Sequence, residues 1–473
     1  MGKVKAYGLA SIALLAPCYW QSRIQAGDLS SHIYNTWLAR LVESGHAPGL
    51  AVATQTTNVL FDLMLSALYR AFGPDAAQRI AVSLAVLTFA WGALAFVAAV
   101  SGCRAWSLLP AIAALSYGWA FHMGFFNFYL GLGLCFWALA LAWEEKPRRV
   151  ALAAAVLLLA WTAHALPVAW TLSVAAYVWL ARRLSPRRQF LLAAACFAAI
   201  VVARVVILRT MPHLWFQRQI GLAAGADQLW LFNNKYLLAL TLLLLVWTLR
   251  GYDLIVRSGA RQLFSGVLFQ LSALTAAGVV LLPTALQIPG YRHSLAFISD
   301  RMSLATAILI CALVGAARAR ALERVVTVVL VIVFFGFLYR DVRILNGLED
   351  RMDAVVTQLA PGQRVIGGVD DLDLHVSVIT HMIDRACVGH CFSFANYEPS
   401  TAQFRVRVAG DNPVVVADYM DSWRMQVGRY VVRERDLPLY QVTLDSDGQL
   451  VIRRLEAGTK CGTTQWKALP DLF

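Results

Sequence analysis

Two stretches decide what this chain can become. Residues 81–100 carry no charged side chain, and neither do residues 105–143, whose one imidazole is His122. A helix crosses the hydrocarbon core of a bilayer with about 20 apolar residues, so the first stretch suffices for one span and the second for two. Backbone groups in lipid find no water to bond, so each stretch must be a helix that satisfies itself. Composition agrees: 59% of residues are hydrophobic and 15% charged, where a soluble domain carries charge on about a quarter.

Further apolar runs extend the pattern to 6–22, 79–101, 106–121, 125–143, 150–165, 167–181, 189–209, 234–249, 263–284, 301–317 and 324–339. The fold class expected is an all-α polytopic transmembrane bundle of about eleven helices with a small C-terminal α+β domain. Alternate loops hold the basic residues: Arg104; Lys146, Arg148 and Arg149; Arg182, Arg183, Arg187 and Arg188; Arg250, Arg257 and Arg261; Arg318, Arg320 and Arg324. By the positive-inside rule those loops face the cytoplasm, as does the N-terminus with Lys3 and Lys5. A net charge of +13 would suggest nucleic acid in a soluble protein. Here it marks topology, and no nucleic-acid partner is expected. The localisation expected is a bacterial inner membrane.

The alternation holds only if residues 58–72 do not span. That segment is amphipathic, with Asp62 and Arg70 inside it, and suits a helix lying at the outer interface. The division expected is a transmembrane domain at 1–340, with a long first periplasmic loop at 23–78, and a periplasmic domain at 341–473. The latter opens with a charged helical stretch ended by Pro361-Gly362. Short β-like runs follow at 364–369, 413–417, 430–432, 440–444 and 450–454. Of eight cysteines, Cys387, Cys391 and Cys461 fall in this outer part, where an oxidising compartment permits one disulfide and the spacing does not choose the pair. The Cys387-His390-Cys391 spacing is not that of a zinc knuckle, and no cofactor is expected.

The first outer loop holds the candidate chemistry. Residues 29–44 have helical periodicity, closed by Gly45 and Pro48. Asp28 and His32 lie one turn apart and Asn35 continues their face. A carboxylate there can accept a proton from an attacking hydroxyl, or it can cap the helix and do nothing else. His122 and His164 sit at the outer ends of spans, where polar groups commonly line a pocket. Arg301 opens the tenth span beside Asp300. A guanidinium there can grip a phosphate, or pair with Asp300 for structure alone.

Asp28, His32 and Gly45, then Phe72-Gly73, Arg79 and Asp300-Arg301-Met302, together resemble the GT-C superfamily of membrane glycosyltransferases, which includes protein O-mannosyltransferases and aminoarabinose transferases. That resemblance implies a sugar donor carried on polyprenyl phosphate, an unknown glycan, lipid or protein acceptor, Asp28 as base and Arg301 at the donor phosphate. His32, Asn35, His122 and His164 would line the substrate site. Where many members carry a second acid after the third span, this chain has Asn127. The alternative is a non-catalytic membrane protein, a transporter or an envelope assembly factor with a periplasmic docking domain. Few ionisable residues lie mid-span, Arg204 being the main exception, which disfavours transport.

Overall fold

In the computed structural model, which describes residues 3–102, 105–467 and 469, the chain is mostly helical. Cys103 and Arg104 lie outside the described residues. The helices run in order as α1 (Lys3–Tyr19), α2 (Gly27–Glu43), α3 (Leu60–Ser101), α4 (Leu109–Ser116), α5 (Trp119–His122), α6 (Phe126–Ala142) and α7 (Pro147–Ala163). They continue as α8 (Ala165–Ala181), α9 (Pro186–Thr210), α10 (Leu237–Ser258), α11 (Ala260–Ser265), α12 (Val267–Leu281), α13 (Ile298–Leu313) and α14 (Ala321–Val356). Three short helices follow: α15 (Met382–Ala386), α16 (Glu398–Thr401) and α17 (Tyr419–Gln426). Four of the apolar helices are long enough to cross a membrane by length and composition: α3, α9, α14 and the one that includes α10.

Local chemistry explains the breaks. In α3 the helix is interrupted at Gly73, whose φ of 79° is left-handed, a conformation that glycine adopts without the steric cost of a Cβ; Pro74 follows and cannot donate to the preceding turn. The amphipathic first half of α3 is thereby turned relative to the apolar second half. The run at 106–121 is not one helix. It divides into α4 and α5 because Gly118 is extended and backs onto Gln228 O, 2.9 Å from where a Cβ would stand. A single residue, His164, separates α7 from α8; its Nδ1 accepts the Leu166 amide at 3.1 Å and caps α8. In the interior, α3 packs along α6, with Phe89 stacked on Tyr129 at 4.6 Å and Phe96 on Phe136 at 5.7 Å.

Strands are few and mostly outside the bundle. They are β1 (Leu50–Val52), β2 (His213–Leu214), β3 (Ala285–Leu286), β4 (Arg364–Gly367), β5 (Val369–Asp370), β6 (Phe392–Ser393), β7 (Val406–Val408), β8 (Leu439–Leu444), β9 (Leu450–Leu455) and β10 (Thr464–Gln465). A four-stranded sheet runs in the order β6-β4-β8-β9. Of the expected β-like runs, 413–417 forms no strand, and 430–432 contributes only a bridge from Val431 to Lys460. The last two runs form the β8–β9 hairpin, closed by Asp445, whose carboxylate accepts the Asp447 amide at 2.9 Å.

The C-terminal segment is bound to the rest at several places. The helix α14 passes through residues 340 and 341 without a break, carrying the chain from the bundle into the sheet. Its far half grips the first loop: Arg23 is paired with Asp350 and Asp353, and Gln25 Nε2 donates to Glu349 Oε2 at 2.7 Å. In addition, β1 of the first loop pairs antiparallel with β7 of the C-terminal segment, Leu50 opposite Val408. The apolar core is continuous from Leu29 and Phe61 through Val365 to Trp466.

Candidate functional site

The site is built around the start of α2. Ala26 occupies the cap position in an extended conformation, and no side chain caps the helix. The Asp28 amide instead donates to Met123 O at 3.0 Å. Capping is therefore not the work of the Asp28 carboxylate, which remains 24% exposed. Its nearest charged neighbour is His381, with Nε2 at 3.8 Å. The approach of chain to chain is close here. A Cβ on Gly27 would stand 2.1 Å from Ser377 O, and one on Gly124 would stand 2.5 Å from the Asp28 amide nitrogen.

One turn along, His32 Nδ1 lies 2.7 Å from Asp62 Oδ1. The other oxygen of Asp62 accepts from Asn127 Nδ2 at 2.7 Å, and Asn127 Oδ1 accepts the Phe61 amide at 2.8 Å. The amide at Asn127 thus fixes an acid contributed by another helix. Burial disfavours charge on His32, but the charge and hydrogen bond of Asp62 win and push it up to about 9. Asp62, in the first turn of α3, is held below the usual carboxylate range by His32 in spite of its burial. Asn35 turns away from this pair. It exchanges hydrogen bonds with Asn396 at 2.7 and 3.3 Å, a tie between α2 and the C-terminal segment. Glu398 accepts from Ser31 Oγ at 3.2 Å, and its burial pushes it up to about 8.

The C-terminal segment closes the opposite side. His381 precedes α15, and its Nδ1 lies 2.9 Å from Asp384 Oδ2. The second oxygen of Asp384 accepts from Ser393 Oγ. The Tyr397 ring lies 5.6 Å from the His381 ring and 5.9 Å from His293, centroid to centroid. Among the described residues no side chain or backbone group hydrogen-bonds the Tyr397 hydroxyl, which lies within electrostatic reach of Asp28 and Arg301.

Arg301 enters from the bundle. Its guanidinium carbon sits 3.7 Å from the Phe125 ring centroid, and Nη1 lies 3.5 Å from His164 Nε2. Its Nε is buried without a partner. Asp300 does not pair with it, because Asp300 Oδ2 accepts from Thr284 Oγ1 instead. Asp28 lies within electrostatic reach of the Arg301 guanidinium.

Of the residues singled out from sequence, His32 and Arg301 each lie within electrostatic reach of Asp28, and His164 lies against Arg301. His122 is not among them: its Nδ1 contacts Gln25 O at 2.8 Å and its ring packs against Phe232. Among the described residues His122 and His164 share no hydrogen-bond partner. Sequence reasoning missed His381, Asp384, Tyr397, Glu398 and the pairing role of Asp62. The His381–Asp384 spacing of three, on a short helix, was the one signal available. No family model, curated protein or solved structure matches this chain.

Proposed function

We propose that the protein is an integral membrane glycosyltransferase that moves a sugar from a polyprenyl-phosphate carrier to an acceptor hydroxyl on the periplasmic face of a bacterial inner membrane. In this reading about eleven apolar segments cross the bilayer, the N-terminus is cytoplasmic, and the C-terminal segment is periplasmic. The observation that carries the chemistry is a carboxylate not used for capping, Asp28, within electrostatic reach of a guanidinium, Arg301, that forms no ion pair among the described residues. An acid and a cation so placed suit a reaction in which a proton is taken at one end and negative charge grows at the other.

The step would run as a single displacement. The acceptor hydroxyl gives its proton to Asp28 as its oxygen bonds to the anomeric carbon. The bond from that carbon to the carrier phosphate breaks, the electron pair leaves with the phosphate, and Arg301 balances the charge. Configuration at the sugar inverts. Held reactants and placed charge supply much of the rate enhancement in such a site.

The test is turnover of polyprenyl-phosphate sugars by the purified full-length protein, beside its melting temperature in detergent. Asp28→Asn should melt as the parent does and lose roughly 100-fold or more of turnover, the scale of a missing general base. Arg301→Lys keeps one charge without the planar fork and should raise the KM for donor more than it lowers stability. Unchanged turnover in a stable Asp28→Asn protein removes the base and favours the non-catalytic alternative, a transporter or envelope assembly factor.

A further inference from the structure

A cavity of about 590 Å³ opens where α1 ends, between the first residues of the loop that follows and the second half of α3. Tyr19, Ser22, Arg23, Asp75, Arg79 and Ile80 line it. Two contacts fix its place on the helices. Trp91 Nε1 donates to Ser11 Oγ at 3.1 Å, and Ser83 Oγ donates to the Tyr19 hydroxyl at 3.2 Å. The end of α1 therefore lies against the start of the apolar half of α3, and the cavity sits where two apolar helices end together. Apolar surface leads away from it along both. On α3, Leu84 follows Ile80 by one turn and is 45% exposed; on α1, Ile12 lies two turns before Tyr19 and is 70% exposed.

The charged groups around the cavity are unevenly committed. Arg23 is paired with Asp350 and Asp353. Arg79 Nη2 donates to Ser22 O at 2.9 Å and to Gln21 O at 3.5 Å, and its guanidinium carbon lies 5.9 Å from the Tyr19 ring centroid. Among the described residues Arg79 forms no ion pair. Asp75 stands four residues earlier on the same helix, the order and spacing at which an acid and an arginine ordinarily pair, with about 6 Å between Cβ atoms. Here no ion pair joins them, and Asp75 is exposed. Arg385, within electrostatic reach of Asp75, is held by Glu349, Ser30 and Ile24. Asp75 also falls in the first turn after Gly73-Pro74, where a carboxylate suits the helix dipole. That accounts for the acid, but not for the space beside it or for an arginine drawn away from it.

We propose that this cavity holds the headgroup of an aminophospholipid: Arg79 takes the phosphate, Asp75 takes the ammonium, and the acyl chains run along the apolar faces that continue from Tyr19 and Ile80. The planar fork of a guanidinium matches phosphate oxygens. A headgroup with a phosphate alone would set a second negative charge beside Asp75, which is unfavourable at such a separation. One uncommitted group of each sign suits a zwitterion. The source is a lipid and not a free phosphate ester, because apolar surface continues from the cavity at the end of two apolar helices, the depth at which headgroups meet hydrocarbon. The inference needs α1 and α3 to lie in a membrane and does not depend on the transfer reaction.

The test uses full-length protein in detergent, stripped of lipid and offered phosphatidylethanolamine, phosphatidylglycerol or free phosphoethanolamine, with bound ligand counted by native mass spectrometry across a concentration series. Phosphatidylethanolamine should bind roughly tenfold more tightly than phosphatidylglycerol, which has the phosphate without the amine; that is the scale of one charge-assisted hydrogen bond. Asp75→Asn should erase the preference without weakening phosphatidylglycerol. Arg79→Gln should weaken both lipids by roughly tenfold. Because Asp75 is exposed, its variant decides the matter even if Arg79→Gln does not fold. Failure to retain phosphatidylethanolamine, equal binding of the two lipids, or a preference that survives Asp75→Asn overturns the proposal. Free phosphoethanolamine bound as tightly as the lipid also overturns it, since the cavity would then take a soluble phosphate ester. Turnover is not read, so none of these outcomes bears on the glycosyltransferase reading.

Discussion

At the scale of single residues, the site is a set of ionisable groups whose charges are set by burial and by their paired neighbours. His32 and His381 are both pushed up to about 9, and Glu398 to about 8. Each binds its proton more tightly in the folded protein than in the unfolded chain. Their contribution to stability is therefore complete below the unfolded values, near 6.5 for histidine, and is lost as pH rises through the folded ones. The melting temperature should accordingly fall between about pH 6.5 and pH 9. In His32→Gln the fall should be shallower, because up to about 3 kcal/mol of that linkage is removed. A flat melting profile across this range in the parent protein would show that the buried pairs do not titrate as described. The spacing of Asp28 and His32 was legible in the sequence, since one helical turn separates them. The partners of His32 and Asp28, namely Asp62 and His381, were not, since no local periodicity relates residues on different elements.

At the scale of elements, two close contacts carry separate expectations. The start of α2 is pressed against the C-terminal segment at Gly27, where any Cβ would meet a backbone carbonyl. Gly27→Ala should lower the melting temperature by several degrees, because backbone and not a flexible side chain must move. Gly347→Ala, in the middle of α14 with nothing within 4 Å of the new methyl, should do the opposite through helix propensity alone, worth up to about 1 kcal/mol. Equal effects from the two would refute the close packing at Gly27. The second contact is the disulfide from Cys387 to Cys391, which leaves Cys461 free. It closes so short a loop that loop-closure entropy assigns it only about 2 kcal/mol. Alkylation of the unfolded protein before and after reduction should differ by two thiols. No difference in protein from an oxidising compartment would mean the bridge is not formed. The elements themselves were largely foreseeable: the Gly73 break falls where Phe72-Gly73 divides an amphipathic from an apolar run. The split of 106–121 into α4 and α5 was not, because Gly118 breaks the run against Gln228, a neighbour supplied by tertiary packing.

At the scale of the whole molecule, the first loop and the C-terminal segment pack together as one body. They are joined by β1–β7, by the Arg23 ion pairs, by the hydrogen bonds of Arg385 to Ser30 and Ile24, and by a shared core. If the basic loops are cytoplasmic, alkaline phosphatase fused after residue 467 should be active, and a fluorescent reporter fused after Arg187 should fold in the cytoplasm. Fluorescence from the C-terminal fusion would invert the topology and take the site to the wrong face for a periplasmic donor.

What the sequence determined by itself is whatever depends on neighbours along the chain. Uninterrupted apolar length makes the helices, Gly and Pro interrupt them, and a three-to-four spacing places Asp28 and His32 on one face. Those effects act over a few residues and can be read from a few residues. Only the tertiary structure decided that Asp28 is not a cap, that Asn127 serves Asp62, that Arg301 is free of Asp300, and that His381 stands opposite Asp28. Each of these depends on which surfaces meet. That outcome rests on burial and on hydrogen-bond satisfaction across separate elements of the chain, where no pattern within either element specifies the other.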